Sequence, residues 1–142
     1  MWGENYINMT FVIKECNRQN KSENMETLTI IINSAPYGDE KVWNTLRLAK
    51  TLISVTIDIK VNIFLLGDAV TAAKKGQKTP EGYYNLEKTL KELVEHGVKI
   101  SVCTTCINAR GLAEKDLVEG IQAGTMMNLS HWIRESQKIL SF

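Results

Sequence analysis

Neither sign of charge prevails in this chain, and no long apolar run interrupts it. With 17 Lys and Arg against 16 Asp and Glu over 142 residues, there is no broad field to attract nucleic acid or an anionic membrane surface. An apolar run such as Ile63 to Leu66 falls far short of the roughly 20 residues that a membrane-spanning helix needs. The amino end lacks a basic segment followed by an apolar one, because Glu4 and Asn5 come early and Thr10 to Ile13 is too short. That argues against a secretory signal. Cysteine is scarce and odd in number, three in all with two close together, a pattern that fits reduced thiols better than a disulfide framework. The expected compartment is the cytoplasm, where the Asn8-Met9-Thr10 sequon carries no weight. Internal repeats, low-complexity tracts and signs of a second folded domain are also missing. A single domain of this length can bury its own core.

What is present alternates between strand and helix patterns. Residues 1–25 are polar and aperiodic and are expected to form a mobile extension carrying Cys16, with the folded domain over 26–142. Leu28 to Ile32 reads as a strand buried on both faces. The turn-rich loop Asn33 to Gly38 follows, and Asp39 or Glu40 opens a helix whose stripe is Val42, Leu46, Ala49 and Ile53. A second strand runs from Ile57 to Leu66, then Gly67-Asp68 leads into a short helix near Ala69 to Lys74. Asn85 to His96 is a helix striped by Leu86, Leu90, Leu93 and Val94 and ended by Gly97. Further on, Asp116 to Glu119 reads as a helical turn, Ile121 to Gly124 as a short strand, Thr125 as the cap of a helix, and Lys138 to Phe142 as a last strand. The alternation predicts a doubly wound α/β sheet of five strands with helices on both faces.

The chemistry concentrates in Val98 to Gly111. This stretch reads as a short buried strand that delivers Cys103 and Cys106 at its carboxyl end, with Arg110 and Gly111 in the turn that follows. Ligands of such sheets meet the carboxyl ends of the strands near the reversal of strand order. The turn, the loop Ser34 to Gly38 and the loop Gly67-Asp68 are therefore expected along one edge, and Asn33, Tyr37, Gly38, Asp68, Lys78 and Gly111 are its pocket candidates. A thiol of pKa about 8.5 is mostly protonated at neutral pH, whereas nucleophilic attack needs the thiolate. Arg110 and the backbone N–H groups of the turn are the nearest stabilisers in sequence. Cys106, within reach across the turn, is a partner thiol that can exchange with Cys103 through a disulfide, and two thiols allow either carrier or reductase chemistry.

Other readings compete. A zinc site would need four ligands, and beyond the pair the chain offers only Cys16, His96 and His131. A thioredoxin-like oxidoreductase would place its first cysteine at the start of a long helix, and Gly111 interrupts this stretch. A nucleotide or flavin at Ser34 to Gly38 would meet Asp39 and Glu40, whose charges suit the helix dipole and repel an anion. Inert, packed cysteines are common, but Thr104, Thr105, Asn108 and Arg110 make this neighbourhood polar. His96 and His131 read as structural, and Met126 and Met127 as core or interface filling.

Several segments, in order, resemble one family. They are Asn33 to Gly38, Leu65-Leu66-Gly67-Asp68-Ala69-Val70-Thr71-Ala72, Gly76-Gln77-Lys78, Glu81-Gly82-Tyr83, Cys103-Thr104-Thr105-Cys106 with Arg110-Gly111, and Lys138 to Phe142. Over about residues 27–142 they are similar to the DsrE/DsrF-like family, in its YchN-like branch. The resemblance implies a flavodoxin-like, mostly parallel five-stranded sheet without flavin or other cofactor, assembled as a homotrimer or homohexamer. It also implies intracellular sulfur handling, with sulfur donor and acceptor proteins as partners. Related members carry sulfane sulfur as a persulfide on a cysteine seven residues before an Arg-Gly pair, which here is Cys103. Cys106 is the added thiol of the branch. A non-catalytic oligomeric binding or redox-sensing module and a dithiol reductase stay open beside the carrier.

Overall fold

The computed structural model describes residues 25–142. The expected extension, with Cys16, lies outside the described residues except for Met25. In chain order the elements are β1 (Glu26–Ile32), α1 (Lys41–Val55), β2 (Ile59–Leu65), a 3-10 segment (Gly67–Ala73), α2 (Leu86–Glu95), β3 (Lys99–Cys103), α3 (Thr104–Ala109), a 3-10 turn (Glu114–Asp116), β4 (Gln122–Gly124), α4 (Met126–Glu135) and β5 (Lys138–Ser141). Two expectations shift. The helical turn sits at Glu114–Asp116 rather than Asp116 to Glu119, because the Asp116 carboxylate accepts from the Ala113 N–H and closes the turn earlier. The second strand starts later than Ile57, which is 81% exposed.

All four ladders are parallel, in the order β4-β3-β2-β1-β5. Three crossovers step from β1 to β4 in one direction and the return to β5 runs the other way; with the right-handed connection general to parallel strands, α4 covers the face opposite the other helices. This is the doubly wound α/β architecture. The register sets Ile30, Ile63 and Ile100 abreast, with Ile32, Leu65 and Val102 one pleat further on. All six are buried, and burying each aliphatic side chain contributes about 1.5–3 kcal/mol. The opposite face is more polar, with Thr29, Asn62 and Ser101 buried beside Phe64. There α4 docks by setting Trp132 edge-on to Phe64, ring centroids 5.7 Å apart. Just past α4, Ser136 shares a 2.7 Å hydrogen bond with Thr29.

Helix ends follow sequence signals. Asn85 caps α2 by accepting from the Lys88 N–H, and Gly97, at φ +85, turns the chain out of it. Thr125 and Asn128 form a reciprocal capping box at the start of α4. Among the described residues no helix is long and apolar enough to cross a membrane.

Candidate functional site

Cys103 is the last residue of β3, and its extended backbone makes it the N-cap of α3. Cys106 is then the third helical residue. Side chains at these two positions face each other, as the partners of a capping box do, so a C-x-x-C spacing at a helix start brings two thiols together. The helix is short because Arg110 ends it and Gly111, at φ +67, lets the chain turn back. The Gly111 N–H donates to the Asn108 carbonyl and the Leu112 N–H to that of Ile107, closing the end in a Schellman arrangement. The sequence reading of a bare turn after Cys103 is thus corrected: one and a half helical turns stand there, and Gly111 stops them.

Neighbouring strands complete the site. Gly67, directly after β2, donates its N–H to the Cys106 sulfur at 3.3 Å. The Thr104 hydroxyl donates to the Gly124 carbonyl at the end of β4, at 2.9 Å. A side chain at Gly124 would collide with the Ser101 hydroxyl and the Phe64 ring, so β4 approaches β3 closely only because this residue is glycine. Cys103 is 5% exposed, whereas Cys106 is half-buried.

Arg110 lies with Cys106 rather than with Cys103. Its Nη1 donates to the Cys106 carbonyl at 2.9 Å, and its Nε and Nη2 donate to Asp68 Oδ1 at 3.1 and 2.6 Å. The Cys106 thiol is pushed up from its ordinary pKa, first by burial and then by its hydrogen bond to Cys103 and the charge Cys103 can carry. The Gly67 N–H pulls it down by less than burial or Cys103 hydrogen bonding raises it, but by more than the Cys103 charge does, and the Arg110 cation pulls it down least. The net direction at Cys106 is upward, toward the protonated thiol.

The remaining candidates divide. Asp68 and Gly111 adjoin the thiols through Arg110 and α3. The Asn33 backbone carbonyl borders Gly67, 3.8 Å from where a Cβ would stand, while its side chain donates to Ser141. Tyr37 belongs to a separate cluster: it stacks on Tyr84, which stacks on Trp43, and its hydroxyl bonds Gln77 and the Leu86 N–H. Gly38, at φ +117, shapes the same loop. Lys78 lines a different groove with Lys88, Lys91 and Glu87. The candidates expected in one pocket therefore fall in three places: the thiol end of β3, the Tyr37 cluster after β1, two strands away, and the groove at Lys78.

A cavity of about 450 Å³ between α4 and the β3–β4 edge, lined by Lys99, Ser101, Gln122, Asn128 and Trp132, includes neither thiol. Among the described residues no three His, Cys, Asp or Glu side chains stand together as a metal site. Sequence reading missed Gly67 as a sulfur ligand and Asp68 as the partner of Arg110. The Gly-Asp pair was visible, but only the fold shows that β2 ends beside β3.

Comparison with known proteins agrees with this architecture. Protein YchN of Escherichia coli K12 is 38% identical over 118 residues, which covers 83% of this chain and all of that protein. The uncharacterized protein MJ0989 of Methanocaldococcus jannaschii is 42% identical over 114 residues, 80% of this chain and 97% of the relative. The crystal structure of the E. coli ychN protein superposes with a TM-score of 0.79, at 38% identity over 83% of this chain and all of that one. A protein of unknown function from Methanobacterium thermoautotrophicum, MTH1491, shares the fold at a TM-score of 0.69 and 15% identity, covering 82% of this chain and 99% of its own. The DsrE/DsrF-like family model matches residues 26–142, and the chain belongs to that family.

Proposed function

We propose that this protein handles sulfane sulfur inside the cell, carrying it as a persulfide on Cys103 with Cys106 as the partner thiol. The observation that supports the reading best is the placement of the two thiols at the start of α3, Cys103 as its N-cap and Cys106 as its third residue. The family is one associated with sulfur relay. In loading, the Cys103 thiolate attacks the outer sulfur of a persulfide or polysulfide donor. An S–S bond forms to Cys103 as the donor's S–S bond breaks, and the donor leaves as a thiolate that takes up a proton. The buried setting of Cys103 shields the cargo from water and oxidants.

Two exits follow. An acceptor thiolate can take the outer sulfur, which restores Cys103 as a thiolate. Alternatively Cys106 loses its proton and attacks the Cys103 sulfur, forming the Cys103–Cys106 disulfide and expelling hydrosulfide; a dithiol reductant must then reopen the pair. The helix-start spacing of the two cysteines favours the second exit, that of a reductase, when no acceptor is bound.

The variants separate these steps. After exposure to a sulfane-sulfur donor, Cys106→Ser should accumulate persulfide on Cys103 and release no sulfide, and Cys103→Ser should do neither. Equal sulfide release by wild type and Cys106→Ser would sink the resolving role of Cys106.

We also propose that the protein works as a homo-oligomer, the trimer or hexamer being the expected state. Ile139 and Leu140 on the edge strand β5, Met126, Met127 and Ile133 on α4, and Phe142 after β5 are 37–69% exposed, apolar surface that self-association would cover.

A further inference from the structure

We propose that Asp68 is a positioning residue of the dithiol site: its carboxylate fixes the Arg110 guanidinium away from the Cys106 sulfur and opposes its charge, so that Cys106 reacts slowly. Arg110 reaches the site from the end of α3, yet its three polar contacts go to Asp68 and to the Cys106 carbonyl. The cation is beside the thiol without donating to its sulfur. An unopposed guanidinium there would favour the thiolate, and a carboxylate in a two-point contact with it cancels much of that field.

Position argues that this is more than a structural ion pair. The Asp68 side chain is 69% exposed, and ion pairs at such exposure contribute about 0–1 kcal/mol to stability. Removing its charge therefore costs the fold little. Asp68 also follows Gly67, whose N–H donates to the Cys106 sulfur. One dipeptide after β2 thus supplies both a ligand to the sulfur and the opposing charge on its cation. Among the described residues the groups that bear on Cys106 are Cys103, Gly67 and Arg110; Asp68 reaches it through Arg110.

The test is the alkylation rate of Cys106 by iodoacetamide against pH, read peptide by peptide in the full chain. Asp68→Asn keeps an oxygen acceptor for Arg110 and removes the charge. Its profile should move to lower pH, with a rate at neutral pH raised about threefold on the scale of tenfold per pKa unit. Arg110→Gln should move the profile the opposite way. In the Arg110→Gln background, Asp68→Asn should change nothing, the signature of action through the arginine. Asp68→Glu, which returns the charge, should restore the slow rate. An unchanged or slower Asp68→Asn protein would overturn the inference, as would the same acceleration with and without Arg110.

The inference rests on the dithiol being the reacting centre, but alkylation needs no sulfur donor. Absence of persulfide on Cys103 would end the carrier reading and leave the role of Asp68 standing, whereas a flat Asp68→Asn result would remove that role alone.

Discussion

At the residue scale, the setting of Cys106 has a direct consequence for stability. Burial and the neighbouring Cys103 raise this thiol above its ordinary range, so the folded protein holds a proton that the unfolded chain releases at lower pH. The sign of the linkage is then fixed. Stability carries no cost from Cys106 below the free-thiol pKa of about 8.5, and falls as pH rises from there toward the raised folded value. Chemical denaturation at a series of alkaline pH values should show this decline in the reduced wild type and a shallower one in Cys106→Ser. Parallel curves would mean that the thiol is not held protonated by the fold. At the same scale the sequence was informative about which residues matter and poor about what they touch. Spacing and residue type made Cys103, Cys106 and Arg110 the candidates, but the assignment of Arg110 as stabiliser of Cys103 assumed that nearness in sequence decides the contact. The helix turns it toward Cys106 and Asp68 instead.

Among the elements, β4 is the one whose placement depends most on a single residue. It has three residues, and Gly124 stands where a Cβ would lie 2.4 Å from the Ser101 hydroxyl and 3.2 Å from the Phe64 ring. Gly124→Ala should cost about 1–3 kcal/mol, the range for overpacking a closely fitted site, and should disturb the Thr104 hydroxyl contact that anchors the start of α3. Urea denaturation gives the stability change, and a wild-type midpoint would show that the strand yields without strain. The strands and long helices were legible because their signals are local: the aliphatic stripes of α1 and α2, the Thr125 cap, and Gly97. Helix α3 was not, since Thr104-Thr105-Cys106 has neither a hydrophobic stripe nor strong helix formers. Its contacts with Gly67 and Gly124, from strands far away in sequence, hold it in place.

For the whole molecule, the sheet order decides which loops can cooperate. Because β3 lies between β2 and β4, the thiols gather ligands from Gly67 and Gly124. The Tyr37–Tyr84–Trp43 stack instead ties the loop after β1 to the approach to α2. Sequence placed both loops on the carboxyl edge without separating them, since strand order is a property of the finished sheet. The exposed apolar side chains of α4 and β5 carry a further expectation. Light scattering should give a mass that is a small multiple of 16.0 kDa, and Met127→Glu with Ile139→Glu should lower it; a monomeric wild type would contradict the proposed assembly. Sulfur carriage on Cys103 is tested by tandem mass spectrometry of the reduced protein after brief exposure to a sulfane-sulfur donor. One added sulfur atom is expected on the peptide at Cys103, absent in Cys103→Ser, while persulfide confined to Cys106 or found on neither thiol would overturn the proposal.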